Sequence, residues 1–311
     1  MADVNTTANY EFTNNVELQL QQTKSQLIDA VETQDCAGAE KVTVADLIGS
    51  TTPQEADERH GDLKETDPGH DRVWLVKTNE LYFHKFVDGA DQLATRISLD
   101  GGYTMAATAT INLAWDDRIL EGVYGPILSG KEGTTVTPFP PAQIIPAATG
   151  GAGGGATRMN VAKLRAANKM LDKAFVGAEA QATKYMVLTA EQNDDLLSEV
   201  PATSSDFKGA FGGEFQDGRI IRMLGWTFLH LELRNPALNA FKSKLTVDAD
   251  GNTRTPFWVK SGVRLGIWNR LRTEIKDQPS KVNTRSVFAG TTVAATRTQA
   301  GKVGIILNSE K

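Results

Sequence analysis

The strongest constraint on the fold is a long amphipathic segment that predicts one unbroken helix. From Asp100 to Gly125 the chain has no proline, and its apolar side chains recur at helical spacing. They form one ridge of Ile111, Trp115, Ile119 and Val123 and a neighbouring ridge of Leu113, Leu120 and Tyr124. Asp100 is suited to cap the first turn, and Gly125 followed by Pro126 is suited to end the last. A helix of about 25 residues spans roughly 37 Å, about twice the mean length in globular domains.

Length and composition place this helix in an ordinary globular chain. The 311 residues suffice for about two domains, and 40% hydrophobic with 23% charged residues argues against disorder, collagen or a coiled coil. The longest uncharged run, 133–157, contains four prolines, so it cannot span a bilayer as a helix. The first residues predict no secretion signal, and the lone Cys36 excludes an intrachain disulfide or a cysteine-based metal cluster. These features fit assembly in a reducing cytosol.

Two β-rich segments before the helix predict a long hairpin. Residues 41–49 and 72–87 each have the composition of a strand, and the roughly twenty residues between them are acidic and contain glycine and proline. The second segment carries the aromatic residues Trp74, Tyr82, Phe83 and Phe86. A lone two-stranded hairpin is marginally stable in water, so these rings require a covering surface from this chain or from a neighbouring subunit. The hairpin is thus the first indication of an assembling protein.

The remaining pattern mixes helices and strands without the regular alternation of a doubly wound fold, which predicts an α+β fold. Residues 1–40 are polar and predict an arm that lies on another surface. Helices are predicted at 158–176 and after the capping box Thr189–Gln192. Strands are predicted at 184–188, at 219–233 with a bend at Gly225, at 257–267, at 281–297 and at 302–307, and a hairpin turn at Asp250-Gly251.

Motifs that would indicate an enzyme each fail at a necessary position. Residues 125–131 match the phosphate-loop pattern GxxxxGK, but Glu132 stands where Ser or Thr must hold Mg²⁺. The glycine-rich run 149–155 follows a proline-rich segment and predicts a linker. The four histidines show no metal-ligand spacing. Asp116 and Asp117 lie about 100° apart on a helix, which predicts surface charge and no acid–base pair. We therefore expect no catalytic, metal or cofactor-binding site.

Charge is distributed unevenly along the chain. Residues 54–72 hold seven acids against three bases, whereas residues 254–302 hold ten Lys and Arg against two acids. Such asymmetry is typical of interaction surfaces, although two solvated faces of a monomer would explain it equally well. The net charge of −5 argues against a dedicated nucleic-acid-binding domain, so any contact with DNA would be incidental.

The order of elements and several segments resemble the major capsid proteins of tailed phages. These proteins have the Hong Kong 97-type fold, which encapsulin shells and herpesvirus capsid floors share. Arg96–Tyr103 and Trp115–Gly125 are similar to the segment that runs into and along their spine helix. Lys184–Leu197 resembles their strand followed by a Leu-Leu helix. Gly218–Trp226 and Phe257–Val263 resemble the next strand and a stretch near the end of their axial domain.

The resemblance implies a Hong Kong 97-type capsid fold with four parts. Residues 1–40 would form the N-terminal arm, and residues 41–95 an extended β-hairpin loop that lies across the adjacent subunit. Residues 96–160 and 276–311 would form a peripheral domain that contains the spine helix. Residues 161–275 would form the axial domain around the hexamer and pentamer axes.

The resemblance also implies a function: a major capsid protein, not an enzyme, that self-assembles into the icosahedral head shell around double-stranded DNA. The expected partners are further copies of the chain in hexamers and pentamers, with scaffold, portal and decoration proteins as candidates. Contact with packaged DNA would be non-specific, and neither a cofactor nor a membrane is expected. The expected location is the virion, after assembly in the host cytoplasm.

Aromatic and charged residues are the expected assembly contacts. The aromatic set is Trp74, Tyr82, Phe83 and Phe86. The acidic hairpin tip, with Glu55, Asp57 and Glu58, would meet basic residues of a neighbour. The candidates for that basic side are Arg264, Arg270, Arg272 and Lys281. Surface ion pairs are each worth less than about 1 kcal/mol, so they would set register more than stability.

Two other functions fit the same sequence. One is an encapsulin-like shell that packages enzymes, built on the same fold. The other is a small α+β enzyme or binding protein that uses the glycine-rich loop as a lid. A stable monomer of 33.7 kDa that binds a ligand tightly would favour the latter.

Overall fold

The structure is a computed structural model that describes residues 22–49, 51–55, 65–88, 99–151, 153–174, 176, 183–199, 214–277 and 284–310. Within these ranges the chain has a mixed α+β fold, as predicted. The α-helices are α1 (Leu99–Tyr124), α2 (Val161–Lys173), α3 (Ala190–Glu199) and α4 (Asn239–Lys242). Short 3₁₀ helices lie at Ile28–Ala30, Pro141–Gln143, Lys260–Gly262 and Ala300–Lys302.

The strands of the described ranges form three sheets. In chain order they are β1 (Glu32–Asp35), β2 (Lys41–Ile48), β3 (His70–Val76), β4 (Leu81–Asp88), β5 (Ile127–Ser129), β6 (Thr135–Thr137), β7 (Ile144–Ile145), β8 (Lys184–Leu188), β9 (Glu214–Gln216), β10 (Arg219–Met223), β11 (Trp226–His230), β12 (Thr253–Val259), β13 (Val263–Asp277), β14 (Thr284–Arg297) and β15 (Val303–Asn308). Sheet I has the order β1-β13-β14-β4, sheet II the order β7-β15-β12-β8-β11-β10-β9, and sheet III the order β2-β3-β5-β6.

The chain divides into two compact units. The first contains Asn79–Ala114 and Asn269–Thr292, together with the described residues 22–24. The second contains Ser25–Thr78, Trp115–Trp268 and Val293–Lys311. Helix α1 and strands β13 and β14 each contribute residues to both units.

Sheet II and helices α2 and α3 enclose a hydrophobic core in the second unit. Its buried side chains include Leu164, Leu171, Met186, Leu188, Leu196, Met223, Phe228, Val259 and Ile306. The rings of Trp226 and Phe257 meet edge to face with their centroids 5.4 Å apart. The hydroxyl of Thr189 accepts a hydrogen bond from the Gln192 N–H at 3.3 Å, which confirms the predicted N-terminal cap of α3.

Two predicted turns are confirmed. Leu224 and Gly225 join β10 to β11 with φ angles of 54° and 80°, a left-handed pair that a tight hairpin turn requires and that glycine adopts without strain. At Asp250-Gly251 the chain also reverses, because the Asp248 carboxylate accepts from the N–H groups of Asp250 and Asn252 at 3.0 and 2.8 Å.

Two of the predicted strands are wrong, since each is divided by a turn. Residues 72–87 belong to β3 in sheet III and β4 in sheet I, separated by the polar segment 77–80. There the Thr78 hydroxyl donates to the Val293 carbonyl at 2.9 Å and fixes the break. Residues 257–267 belong to β12 and β13, separated by the 3₁₀ turn Lys260–Gly262. Gly262 lies so close to Lys302 that an added Cβ would fall 2.8 Å from that side chain.

Sheet III shows how the predicted hairpin is supported at its base. Strands β2 and β3 pair antiparallel, as predicted, and β5 continues the sheet beyond β3. The side chains of Val44 and Leu75 are buried against Cys36 and Ala294, with Trp268 packed beside them. This chain therefore supplies the surface that covers the base of the hairpin, and within sheet III the hairpin is not a lone two-stranded element.

The predicted long helix is confirmed as α1, with both apolar ridges directed inward. Ile111, Ile119, Leu120, Val123 and Tyr124 are buried. Gly122 lies directly against strand β14, because an added Cβ would approach the Ala295 backbone to 2.5 Å. Any larger residue at this position would push the helix away from the strand.

Two adjacent acids of α1 are buried, which corrects their prediction as surface charge. Asp116 accepts hydrogen bonds from the Ser25 hydroxyl at 2.5 Å and from the N–H groups of Gln26 and Leu27 at 2.9 and 3.0 Å. Asp117 accepts from the Ala240 N–H at 2.9 Å. Burial raises the pKa of Asp117 above its usual range, while the hydrogen bond from Ala240 opposes this rise. The two acids thus fasten α1 to segments that are distant in sequence.

A buried arginine closes the C-terminal end of α1. The Arg297 side chain is 1% exposed, and one guanidinium nitrogen donates to the carbonyls of Val123 and Gly125. The guanidinium also lies 4.7 Å from the centroid of the Phe139 ring. Burial lowers the pKa of Arg297 to about 10, so the side chain is still cationic at neutral pH. A cation at this position satisfies terminal carbonyls and is favoured by the helix dipole.

Replacing Arg297 should therefore destabilise the subunit. Arg297→Met leaves two carbonyls at the end of α1 without their donor, and we expect a loss of about 3 kcal/mol in the free energy of unfolding. The measurement is urea unfolding of the unassembled subunit. Arg285→Met is the control, since Arg285 is about half exposed and pairs with Asp277 at the surface. Equal changes in the two variants would contradict the role given to Arg297.

Removing Asp116 should release the segment at Ser25–Leu27. Asp116→Ala leaves three donors without an acceptor, so we expect a loss of about 2–4 kcal/mol, whereas Asp116→Asn keeps one acceptor oxygen and should lose less. Amide hydrogen exchange at Gln26 and Leu27 reports the release directly. The exposed Asp29 provides the control variant Asp29→Ala. Unchanged protection of both amides in Asp116→Ala would refute this role.

Candidate assembly surface

In the described ranges no helix is long and apolar enough to cross a membrane. Across the same part of the chain, no group of His, Cys, Asp and Glu side chains is arranged to hold a metal ion. The candidate assembly residues predicted from the sequence are considered next by their exposure and their contacts.

An exposed aromatic face on sheet I, which we call the aromatic face, is the clearest such surface. It consists of Tyr82, His84 and Phe86 on β4 with Phe288 on β14. Tyr82 is 69% exposed and Phe86 41% exposed, which is unusual for large rings on a sheet. The register places Phe288 opposite His84, so the four side chains lie on one side of the sheet.

The rings of the aromatic face contact one another. Tyr82 and Phe288 are stacked with their centroids 6.2 Å apart, and His84 and Phe86 meet edge to face at 4.5 Å. Glycine at position 290, opposite Tyr82, leaves room for this arrangement, because an added Cβ would fall 2.9 Å from the Phe288 ring. The aromatic face is thus an organised surface within the first unit.

The opposite side of the same strands faces inward. Val87, Val287 and Ala289 are buried there, and the Lys85 ammonium lies 5.8 Å from the Tyr103 ring of α1. Phe83 belongs to this side, because the side chains of β4 alternate and its register partner is Ala289. Of the four rings expected to make assembly contacts, the structure therefore brings together Tyr82 and Phe86 and places Phe83 on the other side.

Trp74 belongs to sheet III, in the second unit. Its indole N–H donates to the Gly130 carbonyl at 2.8 Å, and the Arg72 guanidinium lies 5.7 Å from the ring centroid. Gly133 packs against the ring so closely that an added Cβ would fall 2.7 Å from it. These contacts within its own chain cover part of Trp74.

The basic residues expected to receive the acidic tip are in different environments. Arg264 pairs with Glu32 and donates to the Val44 carbonyl, and Arg272 pairs with Glu274. Arg270 is exposed, and among the residues that the structure describes it has no ion-pair partner. On the acidic side Glu55 is exposed, whereas Asp57, Glu58 and Lys281 lie outside the described residues.

Sequence reasoning missed the structural role of Asp116 and Asp117. A weak signal for it was present, because an exposed acid on a helix is stabilised by a basic residue three or four positions away. The residues four positions from Asp116 are Asn112 and Leu120, and neither is basic. Arg118 pairs with Glu121 at 2.6 Å instead.

Comparison with known proteins identifies this architecture. A family model described as phage capsid protein matches residues 4–310. The fold is similar to the capsid of Cyanophage P-SCSP1u, with a TM-score of 0.72 and 12% identity over 99% of this chain and 95% of that chain. It is similar to the mature capsid of bacteriophage PhiM1, with a TM-score of 0.70 and 12% identity over 96% and 91% of the two chains. It is also similar to the capsid of Cyanophage Pam1, with a TM-score of 0.69 and 11% identity over 100% of both chains.

No curated protein sequence matches the chain. Identities of 11–12% to the solved capsids show a shared fold. The shared fold alone does not show the family, but the family model matches nearly the whole length of the chain. The chain therefore belongs to the phage capsid protein family.

Proposed function

We propose that this capsid protein forms hexamers and pentamers, which build the icosahedral head shell around double-stranded DNA. The family and the structural neighbours are capsid proteins, which have a structural and not an enzymatic role. The observation that carries the proposal is the aromatic face. Tyr82 and Phe86 are exposed rings on a regular sheet, where Tyr82 stacks on Phe288 and Phe86 meets His84 edge to face. Such a patch typically marks a protein–protein interface.

The proposed subunit organisation follows the resemblance. Residues 1–40 form the arm and residues 41–95 the extended loop that lies across the adjacent subunit. Residues 96–160 and 276–311 form the peripheral domain, and residues 161–275 the axial domain. The antiparallel pairing of β2 with β3 supports an extended loop, since these strands lead to and from an acidic segment.

The acidic tip is proposed to meet a basic residue of the neighbouring subunit. Arg264 and Arg272 already pair with acids of their own chain, so the exposed Arg270 becomes the first candidate. Glu55 is exposed and, in the part of the chain that is described, has no ion pair. Because such pairs are weak in water, their proposed role is to set register.

The remaining proposed partners are scaffold, portal and decoration proteins, together with non-specific contact with packaged DNA. The proposed location of the protein is the virion shell, after assembly in the host cytoplasm. The family match favours a phage capsid over the encapsulin-like alternative. It also removes support from the alternative of an enzyme or binding protein with a glycine-rich lid.

Light scattering and negative-stain electron microscopy of the purified chain, with any scaffold protein of the same phage, test this function. We expect particles of megadalton mass with five-fold and six-fold capsomers. A chain that stays at the monomer mass of 33.7 kDa beside its scaffold would contradict the proposal.

Truncating the aromatic face should reduce assembly without unfolding the subunit. Tyr82→Ala with Phe86→Ala removes two exposed rings, and buried aromatic anchors at interfaces are typically worth about 2 kcal/mol or more each. We expect particle yield to fall at least about tenfold, with a thermal midpoint close to that of the wild type. Val136→Ala, at a 61% exposed residue of sheet III, is the control. Equal yields from both variants would rule out the aromatic face as an interface.

Neutralising the acidic tip should weaken assembly in a salt-dependent way. In Glu55→Gln, Asp57→Asn and Glu58→Gln combined, yield should fall more at low ionic strength than at high, because salt screens exposed charges beyond about 10 Å at 0.1 M. The control removes three exposed acids elsewhere, by Glu214→Gln, Asp217→Asn and Asp250→Asn. The same relative yield at both ionic strengths would argue against an electrostatic contact at the tip.

A further inference from the structure

Helix α2 presents an exposed row of positive charge, which we call the basic face. It consists of Arg165, Lys169 and Lys173, spaced four residues apart and therefore aligned along one side of the helix. Leu164 and Leu171 lie on the other side and are fully buried. In the described ranges none of the three cations has an ion pair or hydrogen bond with a carboxylate.

The basic face stands on a rigid support. The ammonium of the buried Lys163 donates to the carbonyls of Thr157 and Leu307, both at 2.8 Å, and to the Asn308 side-chain oxygen at 3.0 Å. Further along α2, the Asn168 amide donates to the Leu224 carbonyl at 3.0 Å. The helix is thus fixed to sheet II at its first turn and near its middle, so the cations extend from a defined position.

Helix α3 borders a cavity of about 410 Å³ with acidic walls, which we call the acidic cavity. Its lining includes Glu191, Asp194, Asp195, Glu310 and Arg158. Asp195 pairs with Arg158 at 3.3 Å, and Glu310 pairs with Arg234 at 3.2 Å. The carboxylates of Glu191 and Asp194 have no such cation in the described portion of the chain, so the cavity keeps a net negative charge.

The effect of this charge is visible on a neighbouring acid. The pKa of Glu232 is raised, first by its own burial and then by the nearby carboxylates of Glu310 and Glu191. Burial disfavours charge of either sign, but the contribution of the Glu310 and Glu191 carboxylates would favour a positive charge at this place.

The basic face and the acidic cavity are separate patches of the same unit. The cavity lies near the ends of β8 and β15, where Ala190 and Ser309 follow the strands. Helix α2 runs from that region to the Leu224 turn at the opposite ends of the strands. A contact between two different patches on identical subunits is head-to-tail, and its repetition closes a ring when the rotation allows.

We propose that the acidic cavity of one copy receives the basic face of the next copy, so that Arg165 and Lys169 contact Glu191 and Asp194 around each capsomer. The occupant is a second copy of this chain because it carries a rigid, exposed face of the required charge. This interface rests on the proposed shell function and specifies which surfaces meet within it. The cations would then add to specificity and to the rate of association.

Two charge-reversed chains test the interface. The first carries Arg165→Glu and Lys169→Glu, and the second carries Glu191→Lys and Asp194→Lys. Each alone places like charges at every contact, so we expect particle yield at low ionic strength to fall about tenfold or more. The control, Lys242→Glu with Lys244→Glu, changes the same number of exposed charges elsewhere and should assemble normally.

Recombining the charges gives the decisive result. A chain with all four substitutions restores opposite charges at every contact and should recover yield to within about threefold of wild type. An equimolar mixture of the two charge-reversed chains should also recover six-membered rings, because alternating copies pair correctly. A five-membered ring cannot alternate, so the mixture should form hexamers in preference to pentamers.

The other outcomes are distinguishable. Normal assembly of both charge-reversed chains, beside a wild type that forms shells, would overturn the interface and leave the shell function standing. A wild type that forms no shell under any condition would count against both. If the basic face instead contacts DNA, only the chain with Arg165→Glu and Lys169→Glu would be affected, and it would form normal shells that contain less DNA. The chain with all four substitutions would then not regain its DNA content. That pattern would also overturn the proposal.

Discussion

The hydrogen bonds from Arg297 to the carbonyls of Val123 and Gly125 are the interaction on which the rest of this fold depends. They join the end of the long helix α1 to strand β14, at a place where Gly122 already brings the helix against Ala295. A helix of this length ends with carbonyls that must find donors, and burying them without a donor would be unfavourable. The guanidinium supplies these donors and also the positive charge that the helix dipole favours.

Other buried charged groups follow the same rule. Asp116 holds the N–H groups of Gln26 and Leu27, and Lys163 holds the carbonyls of Thr157 and Leu307. In each case main-chain groups bind the charged side chain directly. Since main-chain groups are available in every segment, this arrangement ties together parts of the chain that are far apart in sequence.

The outer surface contrasts with this interior. The aromatic face, the basic face and the acidic cavity are formed by regular elements whose opposite sides are buried in this chain. Their outward side chains find few partners in the described part of the subunit. A monomer gains nothing from stacked, exposed rings or from separated rows of like charge, whereas a shell subunit can bury all three against neighbouring copies.

The sequence predicted the elements well where a local signal was strong. The ridge spacing and the Gly125-Pro126 stop predicted α1 to within a residue at each end, and Thr189 predicted the start of α3. The failures share a physical cause, because they depend on contacts between distant segments. The break between β3 and β4 depends on Thr78 reaching Val293, and the burial of Asp116 depends on Ser25.

The surroundings of the candidate assembly residues were only partly predictable for the same reason. Composition identified Tyr82 and Phe86 as rings in need of a partner, but the side of the strand on which each ring lies follows from the register with β14. Trp74 has a similar composition around it and nevertheless packs against Gly133. The basic face and the acidic cavity were not predicted from the sequence, because the charges of α2 and α3 form two separate patches only when both helices lie on sheet II.

A three-dimensional reconstruction of the assembled particle by electron cryomicroscopy tests the proposed shell most directly. We expect a closed shell with five and six copies around its axes, in which the aromatic face is covered by a neighbouring copy. A shell in which that face points into solvent would contradict the proposed interface. A chain that forms no shell in the presence of the other head proteins of its phage would contradict the function itself.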